Sequence, residues 1–201
     1  MQARGFDGLS PFYDLIASSF SFNTIWRSQA YFLSHLGNYS SVLILGGGTG
    51  RILQEMMKRS VSDNYVYVDC SAKMIKRSRR RVKDDPRVHF ICGTEDDIPP
   101  GKNFDLIVTP YVLDCFNEKQ LGRVMKVLDA RLSPGGKWFF TDFVKKGIIT
   151  RSLYLFFRAT GAVEVKSLPD FEKQFELFGY RTEAEKYFLG RLLATRIYSR
   201  K

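Results

Sequence analysis

The chain has 201 residues, of which 44% are hydrophobic and 26% charged, and this balance predicts a globular protein with a sizeable core rather than a disordered or fibrous one. Lys and Arg number 31 against 21 for Asp and Glu, so the formal net charge is +10, which favours anionic partners such as nucleic acid, a membrane surface or an acidic substrate. Three cysteines without a CxxC motif exclude a disulfide framework, and two histidines far apart in sequence argue against a histidine-based metal site.

The N-terminal part of the chain shows no targeting signal. No basic segment followed by an apolar run occurs in the first thirty residues, and every apolar stretch is too short to span a bilayer. We therefore expect a soluble, cytoplasmic protein of one domain. Two helices are predicted here, one over residues 10–19, where Ser10 and Pro11 suit a helix start, and one over residues 24–36.

The central part of the chain alternates short apolar runs with amphipathic segments. Strands are predicted over residues 42–45, 65–68, 88–91, 105–108 and 137–142. Helices are predicted over residues 51–59, 72–83 and 121–132, the last closed by the turn sequence SPGG. Strands that alternate with helices at this spacing indicate βαβ units, and hence a parallel sheet with helices on both faces.

The pattern changes in the C-terminal part of the chain. Apolar-faced helices are predicted over residues 148–160 and 169–178. Residues 184–189 and 192–199 flank Gly190 and Arg191 and are predicted to form a hairpin of two late strands.

The segment VLILGGGTG, residues 42–50, is a buried strand that runs into a glycine-rich turn and opens a helix. Such a turn lets the backbone approach a ligand, and the helix N-terminus offers N–H groups to a negative charge. A nucleoside triphosphate site needs GxxxxGK[ST], which is absent, and a dinucleotide site needs GxGxxG, whose last position is Arg51 here. S-adenosylmethionine fits better, because its carboxylate can use the N–H groups and Asp69, directly after the next strand, can accept both ribose hydroxyls.

Five motifs in chain order resemble those of the class I S-adenosylmethionine-dependent methyltransferases. They are VLILGGGTG (42–50), similar to VLDLGCGTG; YVDCSAKMI (67–75), similar to GVDLSPEMI; CGTEDDIP (92–99), similar to GDAEDLP; NFDLIVTPYVLDCF (103–116), similar to the segment after strand four; and LSPGGKWFFTDF (132–143), similar to LKPGGRLVISDF. The opening FDGLSPFYD resembles the FDxxAxxYD of the small-molecule branch, which includes quinone and lipid methyltransferases. The resemblance covers roughly residues 6–142 by motif and the remainder by element order.

The resemblance implies an α/β, Rossmann-like methyltransferase fold: a seven-stranded, mostly parallel sheet with a C-terminal antiparallel hairpin and helices on both faces. It implies S-adenosylmethionine as cofactor and S-adenosylhomocysteine as product. The single domain over residues 1–201 would divide into an N-terminal helical cap (1–38), a cofactor-binding core (42–143), substrate-side helices (144–180) and the terminal hairpin (183–200).

The resemblance also assigns residues to the cofactor. They are Gly46, Gly47, Gly48, Thr49 and Gly50 in the loop, Asp69 on the ribose with its neighbour Cys70, Met74 near the adenine, Thr94 and Glu95 beside the adenine amino group, and Thr109 and Pro110 near the methionine amine. The sequence departs from the family pattern at two positions. Ile44 stands where the family usually has an acid that orients the loop, and Thr94 replaces the usual Asp.

Methyl transfer from a sulfonium is an in-line displacement, so the protein supplies positioning and, for an acceptor that carries a proton, a base. Asp114 is the candidate base, and its alternative role is a helix-capping or solvated acid. Tyr13 either covers the cofactor or packs on the cap helix, and Asp142 either faces the pocket or caps a loop. The cysteines, Cys115 included, are expected in the core rather than as nucleophiles.

The densest basic run is KRSRRRVK, residues 76–83, which is either a solvated helix face or a contact for a phosphate backbone or an anionic membrane. Aromatic residues of the cap and of the segment after strand five suit a hydrophobic or planar acceptor; they are Phe12, Tyr13, Phe20, Phe22, Trp26, Tyr154, Phe156 and Phe157. Their alternative role is to complete the core.

The function predicted from the sequence is methyl transfer from S-adenosylmethionine to a small, partly hydrophobic acceptor such as a quinone, phenol or lipid-like molecule, without a metal. One alternative is a nucleic-acid methyltransferase that uses residues 76–83, although Thr109–Tyr111 (TPY) lacks the acid or amide of the (D/N)PPY motif. Another, suggested by Ile44, is a non-catalytic interaction protein on a degenerate methyltransferase fold.

Overall fold

The computed structural model describes residues 21–144 and 168–201, with the side chains of residues 21 and 22 left out. The predicted helices over residues 10–19 and 148–160, and Tyr13, lie outside the described residues. The helices are α1 Ser21–Ala30, α2 Arg51–Lys58, α3 Ala72–Arg81, α4 Glu118–Asp129 and α5 Phe171–Leu177. The strands are β1 Val42–Leu45, β2 Tyr65–Asp69, β3 Val88–Cys92, β4 Phe104–Pro110, β5 Leu132–Phe143, β6 Tyr180–Phe188 and β7 Leu193–Arg200.

The strands form one seven-stranded sheet in the order β3-β2-β1-β4-β5-β7-β6. Strands β1 to β5 pair in parallel, and β7 pairs antiparallel with both β5 and β6. The α/β fold with a C-terminal antiparallel hairpin is therefore confirmed. Because the chain proceeds from β1 to one side and returns to β4 on the other, the carboxyl ends of β1 and β4 flank the switch point where open α/β sheets bind ligands.

The central strand β1 contributes to two hydrophobic cores, one on each face of the sheet. Leu43 and Leu45 belong to the core that also holds Trp138 and Phe175. Val42 and Ile44 belong to the opposite core, together with α2. All four residues of β1 are buried, as expected for a continuously apolar strand in a parallel sheet covered on both sides.

Several boundaries differ from the sequence prediction. The predicted helix over residues 24–36 ends at Ala30 and is followed by a separate 3₁₀ turn, Leu33–His35. Helix α4 covers residues 118–129 rather than 121–132, because Asn117 and Gln120 form a reciprocal capping box at its start. Strand β5 begins at Leu132 rather than at residue 137, so the SPGG sequence belongs to the strand and not to a helix end. In residues 21–144 and 168–201, no helix has the length and apolar character required to cross a membrane.

Arg196 fastens the terminal hairpin to α5. Its guanidinium group is only 2% exposed and donates to Glu185 on β6 at 2.5 Å and to Glu172 on α5. The hydroxyls of Tyr198 and Tyr187 accept from the same group at 3.1 and 3.0 Å. A buried guanidinium is tolerated only where such partners satisfy it, so this cluster ties three elements together.

Replacing Arg196 with Met is expected to lower the free energy of unfolding by about 2–4 kcal/mol, because four polar partners lose their shared donor. Urea unfolding followed by circular dichroism measures the loss. Arg181→Met on β6 is the matched control, since Arg181 is exposed and such substitutions change stability by about 0.5 kcal/mol or less. An equal loss in the two variants would contradict the assigned role of Arg196.

Candidate functional site

The glycine-rich turn connects β1 to α2 at the centre of the sheet. Gly46 and Gly50 have φ angles of +71° and +76°, in a backbone region that residues with a side chain rarely adopt. A Cβ at Gly46 would lie 2.5 Å from the side chain of Val112, and one at Gly47 would lie 2.5 Å from the ring of Tyr67. The turn is therefore a close-packed cradle of main-chain groups at the N-terminus of α2.

Asp69 lies at the carboxyl end of β2, directly beside this turn. Its Oδ2 accepts from the main-chain N–H of Gly48 at 2.9 Å, and its Oδ1 accepts from that of Ser71 at 3.0 Å. Helix α3 is capped by Ser71, whose hydroxyl accepts from Met74, so Asp69 is not the N-cap. Asp69 therefore holds the glycine turn from the adjacent strand β2.

The residues expected near an adenine ring follow strands β2 and β3. Cys70 is half-buried after β2, and Met74 is buried in the first turn of α3. Thr94 caps the 3₁₀ turn Glu95–Asp97, its main-chain N–H donating to Asp97 at 2.8 Å. The buried carboxylate of Glu95 pairs with Arg123 on α4 at 2.5 Å. The side chains of Thr94 and Glu95 are thus engaged within the protein.

Thr109 and Pro110 end strand β4 at the crevice, but the hydroxyl of Thr109 does not face it. That hydroxyl is fully buried and accepts from the indole N–H of Trp138 at 2.9 Å. Any contact of Thr109 with a ligand at this edge therefore comes from its main chain. The sequence showed no sign of the bond to Trp138, whose position is 29 residues away.

Asp142 organises the turn after β4 that carries Asp114. Its Oδ2 accepts from the main-chain N–H groups of Leu113 and Asp114 at 3.0 and 3.1 Å, and its Oδ1 accepts from that of Phe143 at 2.9 Å. Asp142 is completely buried, and this desolvation, together with the charge of Asp114, raises the pKa of its carboxyl group well above the usual range. Of the two roles considered for Asp142, the structure shows the loop-capping one.

The cysteines do not share one environment. Cys92 is exposed, contrary to the expectation that all three lie in the core, because it ends the edge strand β3. Cys70 and Cys115 are half-buried. Desolvation and the nearby charge of Asp114 raise the pKa of the Cys115 thiol well above its ordinary value, which keeps it protonated and argues against a nucleophilic role.

The basic run over residues 76–83 is only partly free to meet a partner. Arg79 pairs with Asp84 at 2.9 Å and lies over the ring of Phe90. The Nε of Arg81 donates to the main-chain oxygen of Thr49 in the glycine turn at 2.8 Å. Two cations of the run therefore serve the structure, while Lys76 and Arg80 are exposed on the outer face of α3.

Helix α1 contacts residues next to the ends of β4 and β7 and the start of α2, and the sequence did not reveal these contacts. The hydroxyl of Tyr111, directly after β4, lies 2.5 Å from that of Ser28. Ser28 also accepts at its main-chain oxygen from Thr195 on β7 at 2.7 Å. The guanidinium of Arg51, the first residue of α2, lies over the ring of Trp26 at 4.0 Å. These contacts place α1 against both the glycine turn and the end of β4.

The described residues contain no group of three or more metal-ligating side chains. Residues 42–136 match the family model described as a methyltransferase domain. A malonyl-[acyl-carrier protein] O-methyltransferase of Priestia megaterium is 31% identical over 51% of this chain and 36% of its own length. A ubiquinone/menaquinone biosynthesis C-methyltransferase of Idiomarina loihiensis is 23% identical over 70% of this chain and 58% of its own length. The chain thus spans less than two thirds of either relative.

A solved structure shares the fold. The N-methyltransferase NodS of Bradyrhizobium japonicum WM9, determined in complex with S-adenosyl-L-homocysteine, matches with a TM-score of 0.62 at 15% identity. The match covers 88% of this chain and 83% of NodS, so the likeness extends beyond the residues of the family model.

Replacing Asp114 with Asn is expected to stabilise the protein increasingly as the pH rises. Because the pKa of Asp142 is raised in the folded state, its contribution to stability is present at low pH and is lost as the pH rises through that pKa. Removing the Asp114 charge relieves part of the repulsion, worth about 1 kcal/mol at pH 8 and little at pH 4.5. Urea unfolding at both values measures the difference, with Asp105→Asn at the opposite end of β4 as control. A gain that is equal at the two values would contradict this coupling.

Proposed function

We propose that the chain, whose residues 42–136 form a class I S-adenosylmethionine-dependent methyltransferase domain, transfers a methyl group to a small, partly apolar acceptor. The observation that carries the proposal is the bond between Asp69 and Gly48 at the switch point of the sheet. The bond places Asp69, whose carboxylate can accept from two ribose hydroxyls, next to the glycine turn. The main-chain N–H groups of that turn can bind the carboxylate of the methionine part. A cytoplasmic location is part of the same proposal.

The residues around the glycine turn fit this cofactor. Gly46 and Gly47 pack against Val112 and Tyr67, whereas the space beside Gly48 is open, so the main chain of the turn can approach a ligand closely there. We assign the methionine carboxylate to the N-terminus of α2 and the main chain of Thr49, and the ribose hydroxyls to Asp69. Cys70 after β2 and Met74 in α3 would contact one side of the adenine. The turn at Thr94 and Glu95, which follows β3, would contact its other side.

S-adenosylmethionine supplies an activated methyl group on a sulfonium when it is bound. The protein's own part is to orient the acceptor and to remove its proton. We assign Asp114 as the base that accepts this proton. It lies on the turn whose main-chain N–H groups at Leu113 and Asp114 donate to Asp142. A positioned base of this kind contributes about 10²–10⁴-fold to the rate. The main-chain groups of Thr109 and Pro110 are assigned to the methionine amine.

A small acceptor is supported by two kinds of observation. The relatives described above are named for a malonyl-[acyl-carrier protein] and for ubiquinone and menaquinone biosynthesis. In this chain, Tyr111 and Phe143 lie edge to face at 5.4 Å, one after β4 and the other at the end of β5. They offer an apolar, aromatic surface at the ends of β4 and β5, which suits a planar or apolar acceptor.

The basic run supports a nucleic-acid or anionic-membrane contact less well. Arg79 and Arg81, two of its six cations, bond within the protein, so the charge available to a phosphate backbone is smaller than the sequence suggests. Residues 76–83 remain a second proposal, as a peripheral contact only.

An assay of S-adenosylhomocysteine formation tests the proposed function, with a naphthoquinol, a simple phenol, a malonyl thioester and a short RNA as acceptors. Turnover is expected with at least one of the small molecules. With the quinol or the phenol, Asp114→Asn is expected to lower kcat by about 10²-fold or more, because these acceptors carry a proton. A carboxylate acceptor is already ionised, so its methylation is expected to be insensitive to this substitution.

The matched control is Asp63→Asn, which removes an exposed carboxylate paired only at 3.4 Å with Arg87. It is expected to leave kcat unchanged. Turnover with RNA alone would contradict the small-acceptor proposal, and full phenol or quinol turnover by Asp114→Asn would contradict the base assignment.

A further inference from the structure

Three side chains hold the glycine turn by its main chain. Asp69 accepts from the N–H of Gly48, as described, and the hydroxyl of Tyr67 donates to the oxygen of the same residue at 2.9 Å. Arg81 donates to the oxygen of the next residue, Thr49, at 2.8 Å. The turn is thus bonded from β2 at two points and from α3 at one.

These bonds set the direction in which the turn presents its donors. The oxygen of Gly48 and the N–H of Thr49 belong to one planar peptide unit and point in opposite directions. Because Tyr67 draws that oxygen toward itself, the N–H of Thr49 is directed away from Tyr67 and the core around it. Arg81 holds the oxygen of the following peptide unit, whose N–H, that of Gly50, donates back to the oxygen of Gly47 at 3.2 Å.

Tyr67 is itself rigidly placed. It is fully buried, its ring packs against Phe90 at 5.3 Å, and the absence of a side chain at Gly47 leaves space for its edge. Burial, and to a smaller degree the charge of Asp69, raises the pKa of its phenol further above the ordinary value. The hydroxyl therefore remains a hydrogen-bond donor throughout the physiological pH range.

Tyr67 also stands beside the position where this chain departs from the family pattern. Ile44 on β1 is paired in register with Tyr67 on β2, and both side chains belong to the same core. An apolar side chain at position 44 has no group that can orient the turn. The donor that orients the turn is instead the hydroxyl of Tyr67, the residue that pairs with Ile44 on the adjacent strand.

We infer that Tyr67 and Arg81 are positioning residues that preorganise the glycine turn for the cofactor in the absence of an acid at Ile44. The inference rests on the proposed function, because it takes the turn as the cofactor site. It also gives one residue of the basic run, Arg81, a role at that site rather than at a nucleic-acid or membrane surface.

Calorimetric titration with S-adenosylhomocysteine tests this inference on the full chain. Tyr67→Phe is expected to weaken binding about fivefold to tenfold, the effect of losing one orienting hydrogen bond. Tyr65→Phe is the matched control, since Tyr65 is equally buried on the same strand and its hydroxyl accepts from Ser62 at 3.0 Å, away from the turn. Both variants are expected to lose similar thermal stability, while Tyr65→Phe keeps its affinity within about twofold.

Arg81→Met is expected to weaken binding about threefold to tenfold, with Arg80→Met, an exposed neighbour on α3, as its control. Amide hydrogen exchange of the unliganded protein gives a second measurement that does not depend on the ligand. Exchange at Thr49 and Gly50 is expected to accelerate in Tyr67→Phe and to remain unchanged in Tyr65→Phe.

The outcomes separate this inference from the proposed function. Wild-type binding that Asp69→Ala abolishes and Tyr67→Phe leaves intact would overturn the inference and retain the cofactor site. An equal loss of affinity in Tyr65→Phe and Tyr67→Phe would also overturn it, since the effect would then be general destabilisation. Failure of the wild-type protein to bind S-adenosylhomocysteine would overturn both.

Discussion

The bond between Asp69 and the main-chain N–H of Gly48 is the contact on which the site depends. It joins the end of β2 to the turn that follows β1, next to the point where the strand order reverses between β1 and β4. Strand β1 is apolar and buried on both faces, so its end can turn only where glycines permit left-handed backbone. Asp69 on the neighbouring strand then holds that turn in place, and Tyr67 and Arg81 bond to the adjoining peptide units.

A second buried carboxylate performs a comparable task across the crevice. Asp142 at the end of β5 accepts from two consecutive main-chain N–H groups of the turn that carries Asp114. The two turns therefore follow one physical rule, in which a strand-end acid satisfies the backbone of the neighbouring connection. Helix α1 joins both sides through Trp26 against Arg51 and Ser28 against Tyr111, so the ligand edge is framed by contacts from distant parts of the chain.

Periodicity and motif spacing predicted the order of elements along the chain, the glycine turn and the place of Asp69 directly after the next strand, because each of these is set by residues close in sequence. The predicted start of α4 at residue 121 was wrong, because the capping box of Asn117 and Gln120 begins the helix at Glu118. Bonds across the sheet were not predictable in this way. In the sequence pattern, Tyr67 and Trp138 are apolar core residues of their strands. Only the folded chain shows that their polar atoms donate to Gly48 and Thr109, which lie 19 and 29 positions away. The exposed Cys92 reflects the edge position of β3, which sequence pattern alone does not reveal.

The structure of the complex with S-adenosylhomocysteine is the most direct test of the central claim. The account predicts the ribose hydroxyls within hydrogen-bond distance of the Asp69 carboxylate and the amino-acid carboxylate at the main chain of the glycine turn. It also predicts that Tyr67 keeps its bond to Gly48 in the complex. A ligand bound away from Asp69, or crystals grown at saturating ligand that hold none, would contradict the account.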